Sequence, residues 1–274
     1  MDGLRARATI GLAGAATISL AARRVHALSA SGTLAATAVG ATVVTWSGIR
    51  AGAMLVAFFI SSTLLGQLPG AARLDQRRGR ERDAVQVMAN GVAAAVLALM
   101  SSVTQIRHHS LLFAGFGGAV ATATADTWAT EIGSRSRARP RSIQTFQPTA
   151  PGASGGVTVA GLAASAVGAA LIAGVASAPF ATPSRHGLMR VIPIVLGGFI
   201  GALVDSMLGA TMQEVRFCDA CAVETEERVH RCGAATRPTR GAAWCDNDVV
   251  NGLATAAGAL AAILLQVAIP NRRR

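Results

Sequence analysis

The chain has 274 residues, 51% of them hydrophobic and only 14% charged, with a mean hydropathy of +0.45. Soluble chains carry about a quarter charged residues, so this balance excludes an ordinary water-soluble globule and fits a protein that crosses a bilayer several times. All 25 basic residues are Arg, and they set a net charge of +11. They cluster between apolar runs, as the orientation of membrane helices requires, so the charge implies no nucleic-acid partner.

The N-terminus places Arg5 and Arg7 before an apolar run that lasts to Ala22. This resembles a signal peptide, but no small-x-small cleavage site follows, so a retained first helix is expected. A span needs about 20 mostly apolar residues. Candidates lie near 4–22, 31–49, 51–69, 84–104, 110–133, 156–177, 188–211 and 248–269. The predicted fold is all-α: a polytopic transmembrane helix bundle of about 7–8 spans with a small Cys-containing cytoplasmic loop. Residues 1–28 form an N-terminal helix and loop, and 29–270 a single integral membrane domain carrying the loop at 212–245.

Alternation of eight spans puts Arg23, Arg24, Arg73, Arg77, Arg78, Arg80, Arg82, Arg135, Arg137, Arg139, Arg141 and the arginines from Arg216 to Arg240 on one side. That is sixteen arginines against nine on the other, so the richer side is the cytoplasmic face of a cell membrane. The tail Arg272–Arg274 falls on the poorer side and is the exception.

The polar residues inside the spans carry the chemistry. On the fourth span Asp83, Gln86 and Asn90 share one helical stripe. The fifth ends in Asp126 and Glu131, among Thr122, Thr127 and Thr130. A charge at membrane depth costs about 2.5–3.5 kcal/mol on insertion scales and is rarely kept without a task. Such carboxylates and hydroxyls suit a hard cation such as Mg²⁺, with polar pairing between helices as the plainer alternative. Then come Arg135, Arg137 and Arg139, and a turn containing Gly152, Ser154, Gly155 and Gly156 that leads into the sixth span. A Gly-rich turn opening a helix exposes backbone N–H groups, and Arg forks can hold phosphate beside it. An ordinary positive-inside loop is the alternative. On the seventh span Gly197, Gly201, Asp205 and Gly209 form a smooth stripe with one acid in it. The eighth opens with Asp246, Asn247, Asp248 and Asn251, where Asp246 also suits a helix N-cap. On the topology above, all these groups converge on the cytoplasmic face. A transporter would more often hold them near the midplane.

Cys218, Cys221, His230 and Cys232 lie in the loop before the eighth span, with Cys245 beyond. The Cys-x-x-Cys pair followed by His-x-Cys suits a small tetrahedral zinc site, with free thiols as the alternative.

The blocks Ala125–Gly133, Gly155–Val157, Val204–Thr211 and Asp246–Asn251, with Arg82–Gly91 before them, occur in an order that resembles the integral membrane family known as domain of unknown function 92. The family takes in the animal transmembrane protein 19 and the plant phytyl-phosphate kinase of vitamin E synthesis. By analogy with that kinase, the resemblance implies transfer of a phosphoryl group from a nucleotide triphosphate to an isoprenoid monophosphate; the carboxylates above would supply the Mg²⁺ site such transfer needs. Asp126, Glu131, Asp205 and Asp248 would form the metal and catalytic centre. Arg135, Arg137, Arg139 and the glycine turn would bind phosphate. Asp83, Gln86, Asn90, Asn247 and Asn251 would give polar support. The Cys insert resembles that of prokaryotic members, so its zinc would be structural. Rival readings are a transporter or channel for an ion or anionic lipid, and a non-catalytic protein whose buried acids lock helices together.

Overall fold

The computed structural model describes residues 2–69, 81–103, 109–178 and 185–269. The expected loop arginines Arg73, Arg77, Arg78, Arg80 and Arg107 and the tail Arg272–Arg274 lie outside them. Among the described residues seven helices follow in order: α1 (Asp2–Arg24), α2 (Ala30–Gly66), α3 (Ala84–Met100), α4 (His109–Gly133), α5 (Val159–Ser177), α6 (Arg185–Thr211) and α7 (Asn247–Ala268). Four helical segments, α2, α5, Val191–Thr211 of α6, and α7, are long and apolar enough to cross a membrane.

The caps are legible residue by residue. Ser29 accepts from the Gly32 amide, Thr158 from that of Gly161, and Asp246 from those of Asp248 and Val249. Asp83 and Gln86 close a reciprocal capping box on α3. A side-chain oxygen at this position satisfies amides that no preceding turn can reach.

Two expected spans, 31–49 and 51–69, are the arms of α2. Gly48 sits between them with φ +83° and ψ 177°, a conformation that favours glycine. Residues eight apart in a straight helix are about 12 Å apart along the axis. Here a Cβ on Gly52 would stand 2.6 Å from Val44 Cγ2, so the chain doubles back at Gly48. The ends of the hairpin agree. The Ser29 amide bonds the Arg82 carbonyl (3.0 Å), while Trp46 near the turn receives the Ser101 hydroxyl (3.2 Å) from the far end of α3.

The interior is built from small side chains. Its core joins Val43, Ala51, Ala94, Ala98, Ala119, Ala121, Ala125, Ala169 and Ala173, with Phe116 the bulkiest fully buried residue. Larger apolar groups point outward instead: Ile192, Leu196 and Ile200 on α6, and Leu260, Leu264 and Val267 on α7. Lipid tails are as apolar as leucine, so helix contacts rest on close packing of small residues while large ones face the lipid. Thr122 of α4 shows how close. It is fully buried, and a Cβ on either Gly201 of α6 or Gly258 of α7 would overlap it. A Cβ on Gly197 would lie 2.7 Å from the Gly258 carbonyl oxygen.

Two helix ends differ from the expected spans: the helix expected at 84–104 ends at Met100, and that expected from 156 begins at Val159. The Cys-containing loop at 212–245 is present and carries a three-stranded antiparallel sheet: β3 (Val215–Cys218), β4 (Val223–Thr225) and β5 (Arg237–Arg240), ordered β4-β3-β5. A small ladder, β1 (Arg141–Ser142) with β2 (Gly156–Val157), ties the glycine turn to the arginine loop. The mainly helical fold therefore carries β structure at one end.

Candidate functional site

Asp126 on α4 and Asp205 on α6 face each other across the α4–α6 contact, and their carboxyl groups meet. Both are half-buried. Two carboxyl groups in contact are favoured by a proton or a cation between them. Among the described residues no donor reaches Asp205 Oδ2, which is buried. Glu226, just after β4, adds a third carboxylate near Asp205. Its Oε1 accepts from Gln213 Nε2 (2.7 Å) and the Ser154 hydroxyl (3.1 Å).

These acids line a cavity of about 620 Å³ at the end of the bundle. Thr127, Thr130, Ser206 and Asn247 line it with them. Arg137 and Arg139, both exposed, stand at its rim, and residues Gly152 to Gly156 form a wall. Gly155 has φ +79° and packs so tightly on Ala210 that a Cβ there would overlap it. Arg240 fixes the same wall. Its guanidinium bonds the carbonyls of Gly209 (3.1 Å), Ala210 (2.5 Å) and Ser154 (3.3 Å), capping α6 and tethering the turn together.

The glycine turn does not open a helix. Gly156 pairs with Ser142 in the β1–β2 ladder, and Thr158, not the turn, caps α5. Any anion at this wall would meet turn amides and Arg side chains without a helix dipole behind them.

The other expected site residues lie at the cavity's edge or away from it. Arg135 points to the end of α2, where it bonds the carbonyls of Leu65 (3.3 Å), Leu68 and Pro69 (3.0 Å). It also pairs with Glu131 at 2.8 Å, so Glu131 reaches the cavity edge with its carboxylate engaged by Arg135. Asp83 caps α3, and Gln86 and Asn90 border a second, apolar cavity between α1, α2 and α3. Asp248 and Asn251 lie on the first turns of α7, outside the acidic cavity's lining, and Asp248 Oδ1 is buried. The structure thus splits one expected polar centre into an acidic cavity, an ion-paired helix end and an apolar cavity. Glu226 and Gln213 escaped the sequence reading, and Arg240 entered it only as a loop arginine. They sit in the segment at 212–245, where only the Cys and His residues had a recognisable spacing.

That segment brings Cys218, Cys221, His230 and Cys232 together, with one ligand atom from each within 4.8 Å of the others. His230 Nδ1 lies 3.2 Å from Cys232 Sγ and draws that thiol's pKa down to about 6. The Cys221 thiol, hydrogen-bonded to Cys232, is pushed up to about 11. The group can hold a metal ion. Cys245 is buried apart from it.

A helical bundle with an apolar outer face, small-residue contacts inside and polar residues gathered at one end is an integral membrane protein. The chain belongs to the family described as integral membrane protein DUF92, which it matches over residues 13–259. Its relatives include Protein PGR of Arabidopsis thaliana, 33% identical over 232 residues, which span 77% of this chain and 79% of the plant protein. An uncharacterized membrane protein of Methanocaldococcus jannaschii is 29% identical over 183 residues (64% and 70%). One from Synechocystis is 28% identical over 231 residues (81% and 76%). No solved structure matches the chain.

Proposed function

We propose that the chain crosses the cell membrane eight times, counting the arms of α2 separately, with its acidic cavity toward the cytoplasm. There it acts as an isoprenoid-phosphate kinase, moving a nucleotide's terminal phosphoryl group onto a lipid monophosphate. The observation that carries this reading is one cavity that joins a carboxylate cluster, two rim arginines and a glycine-rich wall. Phosphoryl transfer needs charge neutralisation and alignment more than covalent groups from the protein.

The cluster fits Mg²⁺ in chemistry. Its donors are hard oxygens, and the buried Asp205 Oδ2 has no donor among the described residues. Asp126, Asp205 and Glu226 would hold the ion, which would offset phosphate charge. Arg137 and Arg139 would hold the donor phosphates from the rim. A prenyl chain would lie between helices with only its phosphate in the cavity.

Packing beneath the cavity favours an enzyme over a conduit. One turn below Asp126 and Asp205, Thr122 fills the gap left by Gly201 and Gly258, so the bundle closes to near backbone contact. The test is transfer by detergent-purified protein from labelled ATP, CTP, GTP or UTP to farnesyl, geranylgeranyl or phytyl monophosphate with Mg²⁺. A lipid diphosphate that disappears in Asp126→Asn supports the reading. Ion or lipid flux in liposomes without nucleotide, and no product with any donor, would replace it with a transporter.

A further inference from the structure

The sheet β3–β5 is poorly equipped to hold itself together. Its strands have four, three and four residues, and β4 and β5 each leave most of their residues exposed. Sheets this small lack a core of their own and need packing or a staple. Yet the sheet has an exacting position. Glu226 leaves the end of β4 and reaches both Gln213 and the Ser154 wall of the acidic cavity. The segment after Glu226 is held by the Thr236 hydroxyl on the Glu227 carbonyl (2.5 Å) and the Thr236 amide on the Arg228 carbonyl (3.0 Å), then enters the turn at His230.

The staple is at hand. Cys218 ends β3, Cys221 sits in the β3–β4 turn, and His230 and Cys232 lie on the turn that leads back to β5. Cys218 Sγ and Cys232 Sγ are 3.6 Å apart, too far for a disulfide at about 2.05 Å. For a tetrahedral zinc with Zn–S near 2.3 Å, sulfur atoms should be separated by roughly 3.8 Å. The observed 3.6 Å between these sulfurs is close to that spacing, and one ligand atom from each of the four residues lies within 4.8 Å of the others. Three cysteines and one histidine complete a tetrahedral shell, so no open position is left for a substrate.

We propose that Cys218, Cys221, His230 and Cys232 bind one structural Zn²⁺, and that this ion holds the β3–β5 sheet so that Glu226 and Gln213 roof the acidic cavity. The second half of this proposal rests on the acidic cavity being the functional site; the first half does not. Zinc binding stands or falls without any activity measurement, so its failure is distinguishable from failure of the kinase reading.

The experiment uses full-length protein purified in detergent without a histidine tag. Elemental analysis should find about one zinc per chain, falling to a tenth or less in Cys221→Ser and Cys232→Ser and unchanged in Cys245→Ser. Removing zinc from the folded wild type with a mercurial and chelator, then adding Co²⁺, should give thiolate charge-transfer and tetrahedral ligand-field bands. Hydrogen exchange should then compare zinc-loaded and zinc-free wild type. Loss of zinc should speed exchange at least tenfold across 215–240 and at 152–156, while α4 and α7 keep their protection. Zinc below a tenth per chain with no tetrahedral cobalt spectrum would overturn the site. Zinc that binds and leaves exchange unchanged at both segments would overturn its structural role.

Discussion

Arg135 offers the sharpest contrast between what its sequence position suggests and what its contacts imply. In an arginine-rich loop after two carboxylates it reads as a phosphate ligand. In the fold its guanidinium joins the Leu65 carbonyl of α2, and those of Leu68 and Pro69 just beyond it, to Glu131 at the end of α4. Its side chain is 17% exposed and that of Glu131 8%, so Arg135→Ala would take one partner from an acid that is largely removed from water and keeps other contacts. Breaking a buried pair by deleting one partner costs about 3–5 kcal/mol. The carbonyls of α2 also lose their donor, although water can reach a helix end. The lower figure, about 3 kcal/mol, is therefore the expected loss, or roughly 6–12 °C in Tm at about 2–4 °C per kcal/mol for a chain of this size. Thermal unfolding in detergent, followed by circular dichroism, measures it. Arg135→Lys should recover only part of the loss, because one ammonium cannot reach Leu65, Leu68 and Pro69 together. The double variant Glu131→Ala/Arg135→Ala should be less destabilised than the sum of the singles. An Arg135→Ala protein within about 1 kcal/mol of wild type but inactive would refute this assignment and return the residue to phosphate binding.

On the kinase reading, Asp205→Asn, which keeps the shape of the side chain and removes its charge, should lower phosphoryl transfer by ~10–100-fold with the Tm nearly unchanged; a large fall in Tm with residual turnover would make the acid a helix lock. Gly201→Ala puts a methyl against Thr122 and should cost about 1–3 kcal/mol by overpacking. Thr122→Ala in the same chain should recover part of that, and full additivity in unfolding measurements would count against the tight three-helix contact. Gly241 has φ +82°, and a Cβ there would overlap the Gln213 carbonyl, so Gly241→Ala should cost more than about 1 kcal/mol and raise hydrogen exchange in β5. Gly155→Ala should push the turn off Ala210 and lower transfer without unfolding the bundle, as read by activity beside circular dichroism.

Local chemistry was enough to find the helices. Apolar length and arginine-rich ends outline them, and Asp246 marks the start of α7 because caps act within three residues of chain; the caps Ser29, Asp83 and Thr158 emerged with the structure. The family blocks around Asp126 and Asp205 were also legible, since a charge inside an apolar run is unmistakable. The Cys-His spacing announced its cluster for the same reason. What pairs with what was decided only in three dimensions. The backbone reversal at Gly48, the meeting of Asp126 with Asp205, the arrival of Glu226 and the withdrawal of Arg135 to α2 all join residues far apart in the chain. Hydropathy reports how a segment meets lipid, but not which face meets another helix. In a bundle of alanine and glycine every face is nearly alike, so the choice rests on which small residues allow close approach and on which polar groups find partners there.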